Sequence, residues 1–162
     1  MKISTKKLTL WAITAALYTA VTLLTASFAF GPVQFRVAEA LSVLCCFAPH
    51  MTVGITLGCF FSNLFSTVSA LDMVVGTFAT LLACLCMTRC RRAATMVLPN
   101  ILFNALMVGA MLAYVLTPTA FWQGFAVNAL QVAVGEAAVM LVLGIPLYLF
   151  IQRSSRLRKL LQ

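Results

Sequence analysis

The chain has 162 residues, of which 63% are apolar and 9% charged, and its mean hydropathy is +1.06. An average soluble domain is about 45–50% apolar and about 25% charged. This composition excludes an ordinary soluble globular domain, a disordered chain and a nucleic-acid-binding module. It predicts an integral membrane protein, even though the net charge is +8.

Six apolar runs follow one another along the chain, and each predicts a helix. A membrane-spanning helix needs about 20 residues. Lysines precede the first run, as in a secretory signal, but this run exceeds the roughly 7–15 apolar residues of a signal, so we expect a retained helix. The predicted helices form a single transmembrane domain over residues 1–162, which has no room for a soluble ATPase domain. They cover residues 8–30, 37–48, 51–68, 71–88, 96–116 and 121–151.

Basic residues cluster in three places, namely before residue 8, at residues 89–92 and at residues 153–159. Short cytoplasmic loops collect Lys and Arg. All three clusters share the cytoplasmic side if four helices precede residue 89 and two follow it. The sequence therefore predicts an all-α bundle of six transmembrane helices with both termini cytoplasmic. The basic charge then faces the lipid bilayer surface, and no nucleic acid is expected as a partner.

The three acidic residues, Glu39, Asp72 and Glu136, all fall within or at the edge of the predicted membrane zone. Ionisable side chains at such depth usually face the bundle interior or a water-filled cavity. Glu39 could form a local pair with Arg36, three residues away, and Asp72 could cap its helix. Glu136 has no basic residue in its own helix, so it is the strongest candidate for a functional role.

Amide side chains lie in the same zone. Asn100 and Asn104 share one helix face because they are four residues apart, and Asn128 precedes Glu136 on the last helix. Each amide alone could serve only to join two helices by a hydrogen bond. Together with the carboxylates, which only accept hydrogen bonds, the amides predict an outward-facing cavity for a small polar ligand with donor groups or a positive charge. The candidate substrate-binding residues are Gln34, Arg36, Glu39, Asn63, Asp72, Asn104, Asn128 and Glu136.

Small residues recur every four positions on two predicted helices. Ala12, Ala16 and Ala20 do so on the first helix, and Gly54 and Gly58 on the third. Such stripes let helix backbones approach closely.

Catalytic and metal-binding patterns are not found in the sequence. The six cysteines form no C-x-x-C pair, and the single histidine, His50, lies in a predicted cytoplasmic turn away from the acids. We therefore expect no metal site, no cofactor and no enzymatic activity.

The segment at residues 31–41, GPVQFRVAEAL, resembles the segment that follows the first helix in the QueT family. These proteins are the substrate-binding (S) components of energy-coupling factor (ECF) transporters for queuosine precursors. One departure is Phe30, which stands where the family carries Tyr. Further similar segments are Gly58-Cys59 with Asn63, Leu71-Asp72 through Gly76 to Ala83, Phe103 to Leu106, and Asn128 through Gly135-Glu136.

The resemblance implies a six-helix subunit of a prokaryotic plasma membrane that binds its substrate from outside. The implied substrate is a 7-deazaguanine such as 7-aminomethyl-7-deazaguanine, a small heterocycle. The implied partners are a transmembrane coupling subunit and two cytoplasmic ATPase subunits, which supply the energy. The family's alanine stripe contacts the coupling subunit, and here it corresponds to Ala12, Ala16 and Ala20.

Three other hypotheses remain open at the level of sequence. The same scaffold could bind another vitamin or heterocycle. A proton-coupled carrier could use Glu136 as its proton site. An intramembrane enzyme could use Asp72 and Glu136 as paired carboxylates.

Overall fold

The computed structural model of the chain describes residues 4–30 and 33–161. Lys2 of the first basic cluster and Gly31 and Pro32 of the segment similar to the QueT family lie outside the described residues. Within the described part, all regular secondary structure is helical, as the sequence predicts. The helices are α1 Thr5–Leu24, α2 Val37–Phe47, α3 Met51–Asn63, α4 Leu71–Met87, α5 Ala93–Leu116, α6 Pro118–Arg153 and α7 Ser155–Leu161, with a short turn at Ala26–Ala29.

Three of these helices are long and apolar enough to cross a membrane. They are α1, α5 and α6, with 20, 24 and 36 residues. Helices α2, α3 and α4 are also apolar but shorter. Large apolar side chains cover the outside of the bundle, among them Leu24 (87% exposed) and Trp122 (78% exposed). Such a surface suits lipid rather than water. The all-helical membrane class is therefore supported, and the count of six spans stays a prediction.

Two helices end earlier than the apolar pattern predicts. Helix α3 ends at Asn63 rather than near residue 68, because Ser66 N–H bonds to the Asn63 carbonyl and tightens the chain into a turn. Helix α1 ends at Leu24 rather than near residue 30. The Thr25 hydroxyl just after it donates to the Val21 carbonyl at 2.8 Å, a local bond that competes with continued helix.

Helix α2 lies at the centre of the bundle. It begins as a 3-10 helix, Val37–Val43, and finishes as an α-helical turn, Leu44–Phe47. It contacts α1, α4 and α6. A 3-10 helix rises about 2.0 Å per residue, so this short element reaches further into the bundle than an α-helix of equal length. The buried residues of its 3-10 segment are Ala38, Glu39, Ala40, Ser42 and Val43.

Hydrogen bonds bring the basic clusters together at one end of the bundle. Lys6 Nζ donates to the carbonyl of Lys159 in α7 at 3.3 Å. The hydroxyl of Tyr148, near the end of α6, donates to the carbonyl of Arg91 at 2.8 Å. The start of the chain, the turn between α4 and α5, and the C-terminal helix therefore share one end.

Two π-helical turns interrupt the long helices, at Asn104–Val108 in α5 and at Met140–Gly144 in α6. The second precedes Pro146, which lacks an N–H and whose ring crowds the carbonyl of Val142 four residues earlier. A wider turn at this place accommodates the ring. Single π turns often occur at functional sites, and these two adjoin Asn104 and Glu136.

The glycines of α3 allow close contact with α1. A Cβ atom added at Gly54 would lie 2.9 Å from the carbonyl oxygen of Trp11, and one added at Gly58 would lie 2.6 Å from the Cβ of Tyr18. Three alanines of α1 are exposed and lie on a different side of the helix from its contacts with Gly54 and Gly58. They are Ala12, Ala16 and Ala20. One small-residue stripe thus joins two helices of the bundle, and the other faces outward.

The Gly58→Ala variant tests the contact between α3 and α1. The added methyl group must displace Tyr18 or the α1 backbone, so we expect a loss of about 1–3 kcal/mol in stability, measured by unfolding in detergent micelles. Gly144→Ala is the matched control, because its methyl group would meet only the flexible Met140 side chain, at 3.2 Å. Equal stability of the two variants would contradict this packing.

Candidate functional site

A cluster of polar side chains lies buried inside this apolar bundle. Its members come from the segment 33–36 before α2 and from five helices, and each is 3% exposed or less. We call it the polar cluster; it comprises Gln34, Arg36, Glu39, Asn63, Asp72, Asn100, Asn104 and Glu136.

A buried ion pair joins the segment before α2 to the start of α4. Arg36 Nη2 donates to Asp72 Oδ1 at 2.7 Å, and the Ser66 hydroxyl donates to Asp72 Oδ2 at 2.8 Å. The amide of Asn63 donates to the Asp72 carbonyl at 3.2 Å. The local pair of Arg36 with Glu39, which the spacing allowed, is therefore not formed, because Arg36 pairs with Asp72. The carboxylate of Asp72 binds side chains from outside its helix, so capping of α4 is not its role.

Glu39 accepts hydrogen bonds from three other helices. Tyr18 and Thr80 donate their hydroxyls to Oε1 at 2.7 Å and 2.6 Å, and the amide of Asn100 donates to Oε2 at 3.1 Å. Both oxygens of this carboxylate are therefore engaged. These bonds hold α2 against α1, α4 and α5.

Only one of the two carboxylate oxygens of Glu136 accepts a hydrogen bond from the described residues. Its Oε2 accepts a bond of 3.3 Å from the amide of Asn100, which also bonds Glu39. Its Oε1 has no hydrogen-bond partner among the described residues. Asp72 and Glu136 bind different side chains, an arrangement that does not favour their use as a catalytic carboxylate pair.

Unpartnered polar atoms concentrate in the polar cluster. Buried polar atoms in proteins are nearly always hydrogen-bonded. In the described part of the chain, nine buried side-chain atoms have no such partner, and seven of them belong to this cluster. Two others are hydroxyls of Thr56 and Thr77. The seven are Gln34 Nε2 and Oε1, Arg36 Nε and Nη1, Asn100 Oδ1, Asn104 Oδ1 and Glu136 Oε1. The cluster can therefore offer both donors and acceptors to a small polar ligand.

The charge of the cluster also favours a ligand with positive charge. It contains three carboxyl groups and one guanidinium group, and Arg36 is the only Lys or Arg between Lys7 and Arg89. A buried charge without a counter-charge is costly. A cationic ligand would therefore be stabilised beside either of the two carboxylates that Arg36 does not pair with, Glu39 and Glu136.

The segment before α2 packs tightly against α6 at Gly135. A Cβ atom added there would lie 2.4 Å from the carbonyl oxygen of Gln34. Only glycine leaves room for this approach, which holds Gln34 close to the helix that carries Glu136.

Seven of the eight candidate substrate-binding residues belong to the cluster, and Asn128 does not. The amide of Asn128 donates to the carbonyl of Gly124 at 2.8 Å, and the residue lines a separate groove with Thr117 and Gln131.

Three residues whose side chains donate to Glu39 were not among the sequence candidates. The sequence did mark Asn100 as a possible member of the site, because two amides four residues apart in an apolar helix are unusual. Thr80 carried no such signal, since a threonine hydroxyl in a helix can bond to its own backbone, and Tyr18 carried none, since tyrosines in membrane helices are common as interface residues.

Comparison with known proteins identifies the family. A family model described as "QueT transporter" matches residues 8–153. The chain belongs to the QueT transporter family. A curated relative, "Queuosine precursor transporter QueT" of Lactococcus lactis subsp. cremoris (strain MG1363), is 38% identical over 72 residues, which are 43% of this chain and 42% of that protein. The match thus spans less than half the length of that relative. No solved structure matches the chain significantly. Membership of this family supports a transporter role.

The ion pair of this QueT family member can be tested by removing one partner and then both. Arg36→Met leaves Asp72 buried without its counter-charge, so we expect a loss of about 3–5 kcal/mol in stability. Adding Asp72→Asn should recover much of that loss, as measured by unfolding in detergent. Arg91→Met, at an exposed position, is the control and should cost less than about 1 kcal/mol. A double variant no more stable than Arg36→Met would argue against the ion pair.

Proposed function

We propose that this chain is the substrate-binding membrane subunit of an ECF-type ABC importer that takes up a queuosine precursor. The observation that carries the proposal is the buried polar cluster, with its unpartnered donors and acceptors and its excess of carboxylates, in a member of the QueT transporter family. ATP hydrolysis takes place on partner subunits in this proposal.

The chemistry of a 7-deazaguanine such as 7-aminomethyl-7-deazaguanine matches the cluster. Its ring carries a carbonyl acceptor and several N–H donors, and its aminomethyl group is a cation near neutral pH. The free nitrogens of Arg36 suit the carbonyl, and the free oxygens of Asn104 and Glu136 suit the donors. The printed name of the curated relative supports the same class of substrate.

We also propose that the chain is one domain that crosses the cell membrane six times, with both termini cytoplasmic. The contacts of Lys6 with Lys159 and of Tyr148 with Arg91 support this topology, because they gather the basic clusters at one end. The ion pair of Arg36 and Asp72 joins the segment before α2 to the first turn of α4, and in this topology both belong to the opposite end. The substrate would then reach the cluster from outside.

The outward alanine stripe of α1 is the surface that we propose for the transmembrane coupling subunit. Ala12, Ala16 and Ala20 line an apolar groove of about 650 Å³ together with Leu57 and Phe61 of α3. Small residues on an exposed helix face allow another transmembrane helix to approach closely. The coupling subunit and two ATPase subunits complete the proposed importer.

Ligand binding by the purified protein tests the substrate class. We expect 7-aminomethyl-7-deazaguanine to raise the unfolding temperature, whereas riboflavin and thiamine should not. A ligand at 100 times its Kd stabilises the native state by about 2.7 kcal/mol, enough for a clear thermal shift. Stabilisation by a vitamin alone would point to a different heterocycle. Uptake into liposomes driven by a pH gradient, without ATPase subunits, would overturn the importer in favour of a proton-coupled carrier that uses Glu136.

The Ala16→Trp variant tests the docking surface. The indole would prevent close approach of a partner helix, a change that typically costs about 1–3 kcal/mol. We expect ATP-dependent uptake by the reconstituted complex to fall while substrate binding by the isolated subunit persists. Ile13→Trp is the matched control, because Ile13 is 59% exposed on the same helix but does not line the groove. Equal loss of uptake in both variants would count against the groove as the docking surface.

A further inference from the structure

We propose that Glu136, together with the side-chain oxygens of Asn100 and Asn104, binds the positively charged amino group of the substrate, and that Glu39 and Asp72 do not. This inference rests on the proposed function and assigns one part of the substrate to one part of the polar cluster. It also implies that the protein distinguishes amine-bearing from nitrile-bearing 7-deazaguanines.

The three buried carboxylates differ in how many of their oxygen atoms remain free to accept a hydrogen bond. Glu39 accepts bonds at both oxygens, from Tyr18, Thr80 and Asn100. Asp72 also accepts bonds at both oxygens, and one of these comes from the guanidinium of Arg36.

Glu136 alone among the three retains a buried oxygen without a partner in the described residues, namely Oε1. It is also not paired with Arg36, whose ion pair is with Asp72. A cation bound at Glu136 would therefore complete both the hydrogen bonding and the charge of this carboxylate.

The neighbouring amides present oxygens rather than nitrogens. The Nδ2 atom of Asn100 lies 3.1 Å from Glu39 Oε2 and 3.3 Å from Glu136 Oε2. Ionised carboxylates accept only, so the reversed amide would bring oxygen against oxygen, and both contacts favour this orientation of the amide. The Nδ2 group of Asn104 donates to the backbone carbonyl of Asn100 at 3.1 Å, which leaves Oδ1 of Asn104 free.

The free oxygens lie on neighbouring parts of the structure. Asn100 and Asn104 are one turn apart on α5 and share a face. Glu136 of α6 is hydrogen-bonded to Asn100. The unpartnered atoms on α5 and α6 in the cluster are thus all acceptors. The free donors belong to Arg36 and Gln34 in the segment before α2, where Gln34 Oε1 is one further free acceptor.

This separation of acceptors from donors predicts how the ligand is oriented. A primary ammonium group has three N–H donors and no acceptor, which matches the three free oxygens on α5 and α6. The ring carbonyl would then face Arg36. A nitrile has no N–H donor, so it would leave the oxygens of Glu136, Asn100 and Asn104 unpaired at a desolvation cost.

The experiment compares the affinities of 7-aminomethyl-7-deazaguanine and 7-cyano-7-deazaguanine by isothermal titration in detergent. We expect the parent protein to prefer the aminomethyl compound. In Glu136→Gln, affinity for the aminomethyl compound should fall roughly 10- to 150-fold, the range expected for a charged hydrogen bond. Affinity for the cyano compound should change less, so that the preference is lost.

Glu39→Gln is the matched control, because it changes a carboxylate of the same type in the same cluster. We expect this variant to weaken both ligands by similar factors, so that their ratio is kept. Asn104→Leu removes one acceptor without touching a charge, and it should also reduce the preference. This second variant decides the matter if Glu136→Gln does not fold.

Two outcomes would overturn the inference and leave the proposed function intact. One is a parent protein that binds both compounds equally well. The other is a folded Glu136→Gln or Asn104→Leu variant that keeps the full preference for the aminomethyl compound. A parent protein that binds neither deazaguanine would instead contradict the proposed function itself.

Discussion

The buried ion pair between Arg36 and Asp72 is the interaction on which the site depends. Arg36 precedes α2 and Asp72 opens α4, so this pair of 2.7 Å connects two parts of the chain that are 36 positions apart. An isolated charge inside an apolar bundle is costly, and each partner offsets part of that cost for the other. Because Asp72 neutralises the one guanidinium of the cluster, the carboxylates of Glu39 and Glu136 have no basic partner within it. Hydroxyl and amide donors surround Glu39, whereas Glu136 keeps an open oxygen.

Asn100 links these two carboxylates and thereby connects α2 with α6. Its amide bonds Glu39 of the central α2 and Glu136 of α6, while its own helix packs against both α4 and α6. A side chain that donates to two acceptors at once leaves its carbonyl oxygen free. The same contact that holds the helices together thus also provides an acceptor for a ligand. The π-helical turn that begins at Asn104 lies directly beside this contact.

The two stripes of small residues have different roles because the bundle buries only one of them. Gly58 allows α3 to lie against Tyr18, and Tyr18 in turn donates to Glu39. The packing of α1 on α3 therefore supports the polar cluster directly. Ala16 lies on a different side of α1, where the described chain leaves a groove. Binding and docking can thus use different sides of one helix.

The sequence by itself determined the class of this protein, the approximate position of its helices and most of the buried polar side chains. Apolar runs and the ionisable residues within them are local features, and an ionisable residue at that depth is costly enough to mark a buried polar position. The segment at residues 31–41 further determined the family. The sequence could not determine which partner each polar group would find. Arg36 lies three residues from Glu39 yet pairs with Asp72, and Asn100, Tyr18 and Thr80 meet Glu39 from three different helices. Only the tertiary structure decided these pairings, because hydrogen bonds depend on distances of about 3 Å that helix packing sets and spacing along the chain does not.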